Sequence, residues 1–158
     1  MARIDLPEGN DDDSIKLLSL QPSMGNAMAV LTEAIYAKSD LDMRVREAVR
    51  MCIANINQCQ ICLNFRFPEL EDVGVSEQFY QDVTDWRSCE RFSAAEKLAI
   101  EYAELFATAH LSIDDHFMEK LKLHFSAKDI FELTYTVAGL MANGRTLQVL
   151  QVDQACSL

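Results

Sequence analysis

The sequence predicts an all-α protein, and three observations carry that prediction. Helix breakers are scarce, with 5 Gly and 3 Pro in 158 residues, while Ala, Leu, Glu, Met and Gln, which lose little rotamer freedom in a helix, are plentiful. The longest apolar pattern, Leu41, Val45, Ala48, Val49, Cys52, Ile53 and Ile56, keeps to a helical period. No stretch alternates apolar and polar residues long enough to make a strand. The expectation is one helical domain of about seven helices over residues 19–158, preceded by a mobile acidic arm over residues 1–18.

The elements follow from local chemistry. Residues 8–13, EGNDDD, are charged and without an apolar period, which suits an arm. Pro22 and Ser23 open the first helix, with Met24, Ala27, Met28, Leu31 and Ile35 on one stripe, running to Lys38. Ser39, with Asp42 three residues on, opens the second. The polar run Asn55–Gln58 ends it, and Cys59–Arg66 forms a short helix before Pro68. Gly74 suits a left-handed stop, and Ser76 starts a short helix carrying Phe79, Tyr80 and Val83. Ser93 and Glu96 form a capping box for a helix bearing Leu98, Ala99, Tyr102, Leu105 and Phe106. Asp114 or Ser112 starts the next, and Ser126 with Asp129 starts the last, which continues towards Val152.

Composition narrows the partners. The formal net charge of -11 opposes binding to nucleic acid or to an anionic membrane, because phosphate is repelled. The start Met1-Ala2-Arg3, followed at once by acidic and polar residues, does not read as a secretory leader, and no apolar run is long enough to span a membrane. Five cysteines without a leader point to a reducing, cytoplasmic setting, and an odd number cannot all pair within one chain. His110, His116 and His124 are isolated and no second Cys-x-x-Cys exists, so no metal and no cofactor is expected.

The chemistry concentrates in residues 47–66, EAVRMCIANINQCQICLNFR. Cys59 and Cys62 can meet when Cys62 lies in the first turn of a helix that Cys59 opens, the geometry of a redox dithiol. Arg66, four residues after Cys62, shares its helix face and supplies a cation that favours a thiolate. Arg66 holds its proton too tightly to be a base. Glu47, twelve residues before Cys59, is the nearest candidate base; the competing reading pairs it with Arg44, Arg46 or Arg50 on its own helix. Cys52 falls on the apolar stripe and reads as core. Phe65, Phe67, Tyr80 and Trp86 also read as core, with a pocket-lining role as the alternative.

Glu47, the helix REAVRMCIANIN and the following CQIC resemble the carboxymuconolactone decarboxylase family, and within it the alkylhydroperoxidase D-like branch. That pattern has a glutamate, a Cys-x-x-Cys twelve residues on and a histidine four residues after the second cysteine. Asn143 and Arg145, in AGLMANGRTLQVL (138–150), resemble the family's C-terminal ending, so the likeness covers about residues 20–150. Arg66 stands where the pattern has histidine, and Ile61 where some members carry another, so the imidazole relay is absent. The resemblance implies a helical protomer in a homo-oligomer, a trimer or hexamer. It also implies a thiol-dependent peroxide reductase. Cys62 would attack and Cys59 resolve, Glu47 would orient or accept a proton, and a dithiol electron donor would regenerate the pair. Helix-dipole reasoning alone favours Cys59 as the more acidic thiol. The alternatives are a redox-sensing helical oligomer without catalysis and, further off, a lactone decarboxylase.

Overall fold

The computed structural model describes residues 2–152, and among these every regular element is helical. Eight α-helices occur: α1 (Asp13–Ser19), α2 (Pro22–Glu33), α3 (Met43–Asn57), α4 (Gln60–Asn64), α5 (Glu77–Asp82), α6 (Ala94–Thr108), α7 (Asp115–Lys122) and α8 (Ala127–Leu150). A π-helical turn, Ala34–Lys38, extends α2, and 3-10 turns lie at Pro68–Val73, Val83–Asp85 and His110–Ser112.

Within residues 1–18, α1 begins at Asp13, and Arg3 donates from its backbone to Leu150 O (2.8 Å) and from Nη1 to Val149 O (2.9 Å). The expected helix from Pro22 to Lys38 is divided, because α2 widens into the π turn at Ala34.

The middle of the molecule is α3, which packs mainly against α6 and α8. Its apolar stripe supplies Val45, Ala48, Val49, Cys52 and Ile53 to the core, but burial reaches further round and takes in Arg46, Glu47 and Arg50. The cap is Asp42, whose Oδ1 accepts from the N–H groups of Arg44 (2.9 Å) and Val45 (3.1 Å). Ser39 does not cap the helix. Glu132 on α8 takes its hydroxyl at 2.6 Å and also accepts the backbone N–H groups of Asp40 and Leu41. One carboxylate on α8 thereby fixes the connection that carries the chain from the π turn into α3.

The other local signals operate as expected. Ser93 with Glu96, and Ser126 with Asp129, form complete capping boxes at α6 and α8. Asp114 caps α7, Ser76 caps α5, and Gly74 adopts φ +80° after the Pro68–Val73 turn. Arg44 locks this side of the molecule, donating to Glu96 Oε1 (2.6 Å) and Gly74 O (2.6 Å).

Two glycines set how closely α8 approaches the rest. A Cβ at Gly144 would lie 2.8 Å from Asn57 Nδ2 and 3.5 Å from Cys59 Cβ, and one at Gly139 would lie 2.6 Å from Ile35 Cδ1. Both the cysteine turn and the π turn therefore sit directly against α8. On the outside, α2 leaves apolar side chains uncovered, with Met24 68% and Val30 61% exposed, alongside Phe131 (61%) and Tyr135 (52%) on α8.

Candidate active site

Cys59 is the N-cap of α4. The preceding Gln58 ends α3 in the left-handed region (φ 55°), so the chain reverses sharply between Glu47's helix and the cysteines. Cys59 Sγ accepts the N–H of Cys62 at 3.4 Å, and the two sulfurs lie 2.6 Å apart without being joined as a disulfide. The two thiols differ in access. Cys59 is fully buried, with Gly144 close behind it, whereas Cys62 is half-buried and faces a cavity of about 380 Å³.

That cavity is mostly apolar. Its walls include Tyr36, Ile53, Ile61, Phe65, Phe67 and Leu140, with Arg50, Asn57 and Asn143 as polar members. The expectation of ordinary core is corrected for Phe65 and Phe67 and holds for Tyr80 and Trp86. The reason is where α4 stops: at Phe65 the backbone turns extended (ψ 134°), and Phe65 and Phe67 stack edge to face at 4.6 Å along the cavity wall.

Glu47 does not stand free. Its Oε2 accepts from Arg50 Nε at 2.8 Å, with the two side chains 0% and 2% exposed, and from the Tyr80 hydroxyl at 3.3 Å. Oε1 is buried without a hydrogen-bond partner among the described residues. Of the three arginines that sequence offered as ion-pair partners, Arg50 is the one taken. Burial opposes the Arg50 charge, yet the adjacent Glu47 carboxylate holds its pKa above the ordinary value. Arg50 also donates from Nη1 to Cys62 O (2.6 Å) and from Nη2 to Phe65 O (3.1 Å), clamping α4 to α3.

Arg66 is engaged elsewhere. Nε and Nη2 make a two-pronged pair with Glu77 (2.7 and 3.0 Å), Nη1 donates to Leu63 O and Phe65 O, and the guanidinium lies 4.3 Å from the Tyr80 ring centroid. The cation that lines the cavity beside Cys62 is Arg50.

Sequence reasoning did not single out Tyr36. The π turn presents it to the cavity, where its ring packs on Phe67 at 5.4 Å. Arg46 holds that turn, donating to the carbonyls of Ile35 and Tyr36. Burial pushes the Tyr36 phenol well above its ordinary pKa; the Arg50 charge offsets this in part, and charge on Glu47 and Cys62 reinforces it. On α8, Asn143 donates to Thr32 Oγ1 and Arg145 to Asn57 Oδ1, which joins the cavity's far wall to the cysteine turn. No group of three or more His, Cys, Asp or Glu side chains able to hold a metal occurs among the described residues, and none of their helices is long and apolar enough to cross a membrane.

Two predictions follow from this geometry. Replacing Arg50 with Met strands the Glu47 carboxylate in the core, and urea unfolding should show a loss of about 3–5 kcal/mol; an unchanged midpoint would mean that the pair stabilises nothing. The second concerns Cys52, whose thiol burial pushes up to about 12, so that it stays protonated through neutral pH. Iodoacetamide at pH 8 should label Cys62 and spare Cys52 until the chain unfolds, as read by peptide mass mapping. Because an unfolded cysteine titrates near about 8.5, the Cys52 contribution to stability is complete below that pH and is lost as pH rises towards 12. Labelling of Cys52 at the rate of Cys62 would contradict its placement.

Comparison with known proteins agrees with this architecture. Residues 22–105, just over half the chain, match the carboxymuconolactone decarboxylase family. The uncharacterized protein YnjA of Escherichia coli (strain K12) is 34% identical over 97 residues, which is 61% of this chain and 53% of that protein, so the chain spans about half the length of this relative. Among solved structures, an uncharacterized peroxidase-related protein from Ralstonia eutropha, described as an alkylhydroperoxidase AhpD core, superposes with TM-score 0.78 at 16% identity over 96% of this chain and 90% of that one. A debrominase in complex with 2,3,4-tribromopyrrole gives TM-score 0.72 at 15% identity over 87% and 74%. The chain therefore belongs to the carboxymuconolactone decarboxylase family and has the alkylhydroperoxidase D-like fold.

Proposed function

We propose that this protein is a thiol-dependent peroxide reductase in the cytoplasm, with Cys59 and Cys62 as its redox pair. The observation that carries the reading is the asymmetry of the two thiols: Cys62 opens onto an apolar cavity, and Cys59 waits in contact behind it, closed to solvent. A hydroperoxide ROOH enters with its organic group against Phe65, Phe67 and Leu140. The Cys62 thiolate attacks the terminal oxygen, the S–O bond forms as the O–O bond breaks, and Cys62 becomes a sulfenic acid while RO⁻ leaves. Cys59 then attacks the Cys62 sulfur; the disulfide forms, and the sulfenic hydroxyl leaves as water with the Cys59 proton. A dithiol donor reduces the disulfide and closes the cycle.

The charged residues divide the remaining work. Arg50 supplies positive charge beside the Cys62 turn and fixes its backbone. Glu47 takes the role of orienting Arg50 or accepting a proton, and its Oε2 bond to Arg50 supports the first of these. Arg66 anchors the end of the cysteine segment to Glu77. The exposed apolar residues of α2 and α8, Met24, Val30, Phe131 and Tyr135, form surface that further copies of this chain cover in a trimer or hexamer; sedimentation equilibrium finding only a monomer would remove that part of the account.

Serine variants test the chemistry. With tert-butyl hydroperoxide, Cys62→Ser should consume no peroxide, whereas Cys59→Ser should lose one thiol and stop at a sulfenic acid that dimedone traps. Equal turnover by wild type and both variants would refute the mechanism. A slow loss of both thiols accompanied by a change in oligomeric state would favour a redox sensor instead.

A further inference from the structure

Reduction of an alkyl hydroperoxide releases RO⁻, a strong base that leaves readily only when a proton reaches it. The cavity therefore needs a proton donor, and the usual imidazole is missing from this chain. His110, His116 and His124 are exposed and lie outside the cavity wall. Arg50 keeps its proton and spends its N–H groups on Glu47, Cys62 O and Phe65 O. The Tyr80 hydroxyl is donated to Glu47, and the Thr32 hydroxyl to Met28 O. Among the described residues that line the cavity, the phenol of Tyr36 remains, with no hydrogen bond to another described residue.

We propose that Tyr36, presented by the π-helical turn Ala34–Lys38, is a catalytic residue that protonates the leaving oxygen of the substrate in the cavity it shares with Cys62. The inference rests on the peroxide-reductase reading and names a proton route for it. Three observations converge on this residue. Tyr36 and Cys62 line one cavity, and the phenol lies close enough to respond to charge on Cys62, Glu47 and Arg50. The turn that carries it is a π-helix, which places a side chain where a regular α-helix would not and which recurs at functional sites. The placement is held from both ends: Arg46 is bonded to the carbonyls of Ile35 and Tyr36, its guanidinium lies 5.8 Å from the Tyr36 ring centroid, and Glu132 gathers Ser39, Asp40 and Leu41 just beyond.

The step balances. As the Cys62 thiolate takes the terminal OH of ROOH, the electron pair of the O–O bond stays on RO⁻. Tyr36 gives its proton to RO⁻, and the alcohol ROH departs. The phenolate that remains recovers a proton from solvent, and the proton that Cys62 gives up on forming its thiolate passes to solvent as well.

Two oxidants separate this role from a structural one. tert-Butyl hydroperoxide releases an alkoxide that needs the proton, while peracetic acid releases acetate, which does not. In stopped-flow measurements of Cys62 oxidation, Tyr36→Phe should be slower than wild type by roughly 100-fold with tert-butyl hydroperoxide and unchanged with peracetic acid, with an unaltered unfolding midpoint. Phe67→Leu, which removes the ring that packs on Tyr36 and keeps the phenol, should move both oxidants alike. A Tyr36→Phe rate that is unchanged with both oxidants, or lowered equally with both, would overturn the assignment. A wild type inert to tert-butyl hydroperoxide would instead remove the peroxide-reductase reading, and this inference with it.

Discussion

The buried pair of Glu47 and Arg50 is the constraint on which the rest of the site depends. Both side chains are cut off from water in the middle of α3, a placement that is costly unless the charges meet and their remaining donors and acceptors are used. Arg50 satisfies that demand in a way that shapes the molecule. Its Nε goes to Glu47, and its two terminal nitrogens go to the carbonyls of Cys62 and Phe65, at either end of the second half of the cysteine segment. A single guanidinium thus ties the central helix to the turn that bears the thiols. Tyr80 adds a hydroxyl to Glu47, and Arg66 lies over the Tyr80 ring while gripping Glu77, so the same contacts reach α5.

Around this anchor the cavity is a consequence of how α8 and the π turn close in. Gly144 allows α8 to come against Cys59 and Asn57, which buries one thiol, and Gly139 allows it to come against Ile35. The carboxylate of Glu132 and the guanidinium of Arg46 then fix the backbone on either side of Tyr36. What stays open is a space bounded by aromatic rings on one side and by Asn143 and Asn57 on the other, with Cys62 at its edge. One thiol thus opens onto a mostly apolar space while the other is closed off behind it.

Much of the fold was legible in the sequence because caps and periods are local. The capping boxes at Ser93 and Ser126, the stop at Gly74 and the stripe of α3 need only a few neighbouring residues to act. Where side chains are engaged differently from their local spacing, a partner outside the local segment is the cause. Ser39 looked like a cap, but Glu132 takes its hydroxyl from 93 positions away. Arg66 has the spacing to serve Cys62, but Glu77 binds it. Cys59 and Cys62 meet as their spacing implied, and Glu47 is joined to their turn through Arg50. Tyr36 was out of reach, because nothing in the residues Ala34–Lys38 announces a π turn; that turn lies against α8 and is bonded by Arg46 of α3. Phe65 and Phe67 read as core because burial of aromatics is the common case, and their role in lining the cavity emerges only from where α4 ends.

The most direct measurement is the rate and number of thiols lost when the reduced wild-type protein is mixed in a stopped-flow instrument with a small excess of tert-butyl hydroperoxide, beside the same chain unfolded in urea. The account predicts that the folded protein loses two thiols together, far faster than the unfolded chain, and that peptide mapping finds them joined as Cys59–Cys62. Folded thiols that persist, or that disappear no faster than those of the unfolded chain, would contradict the claim that this fold activates the pair.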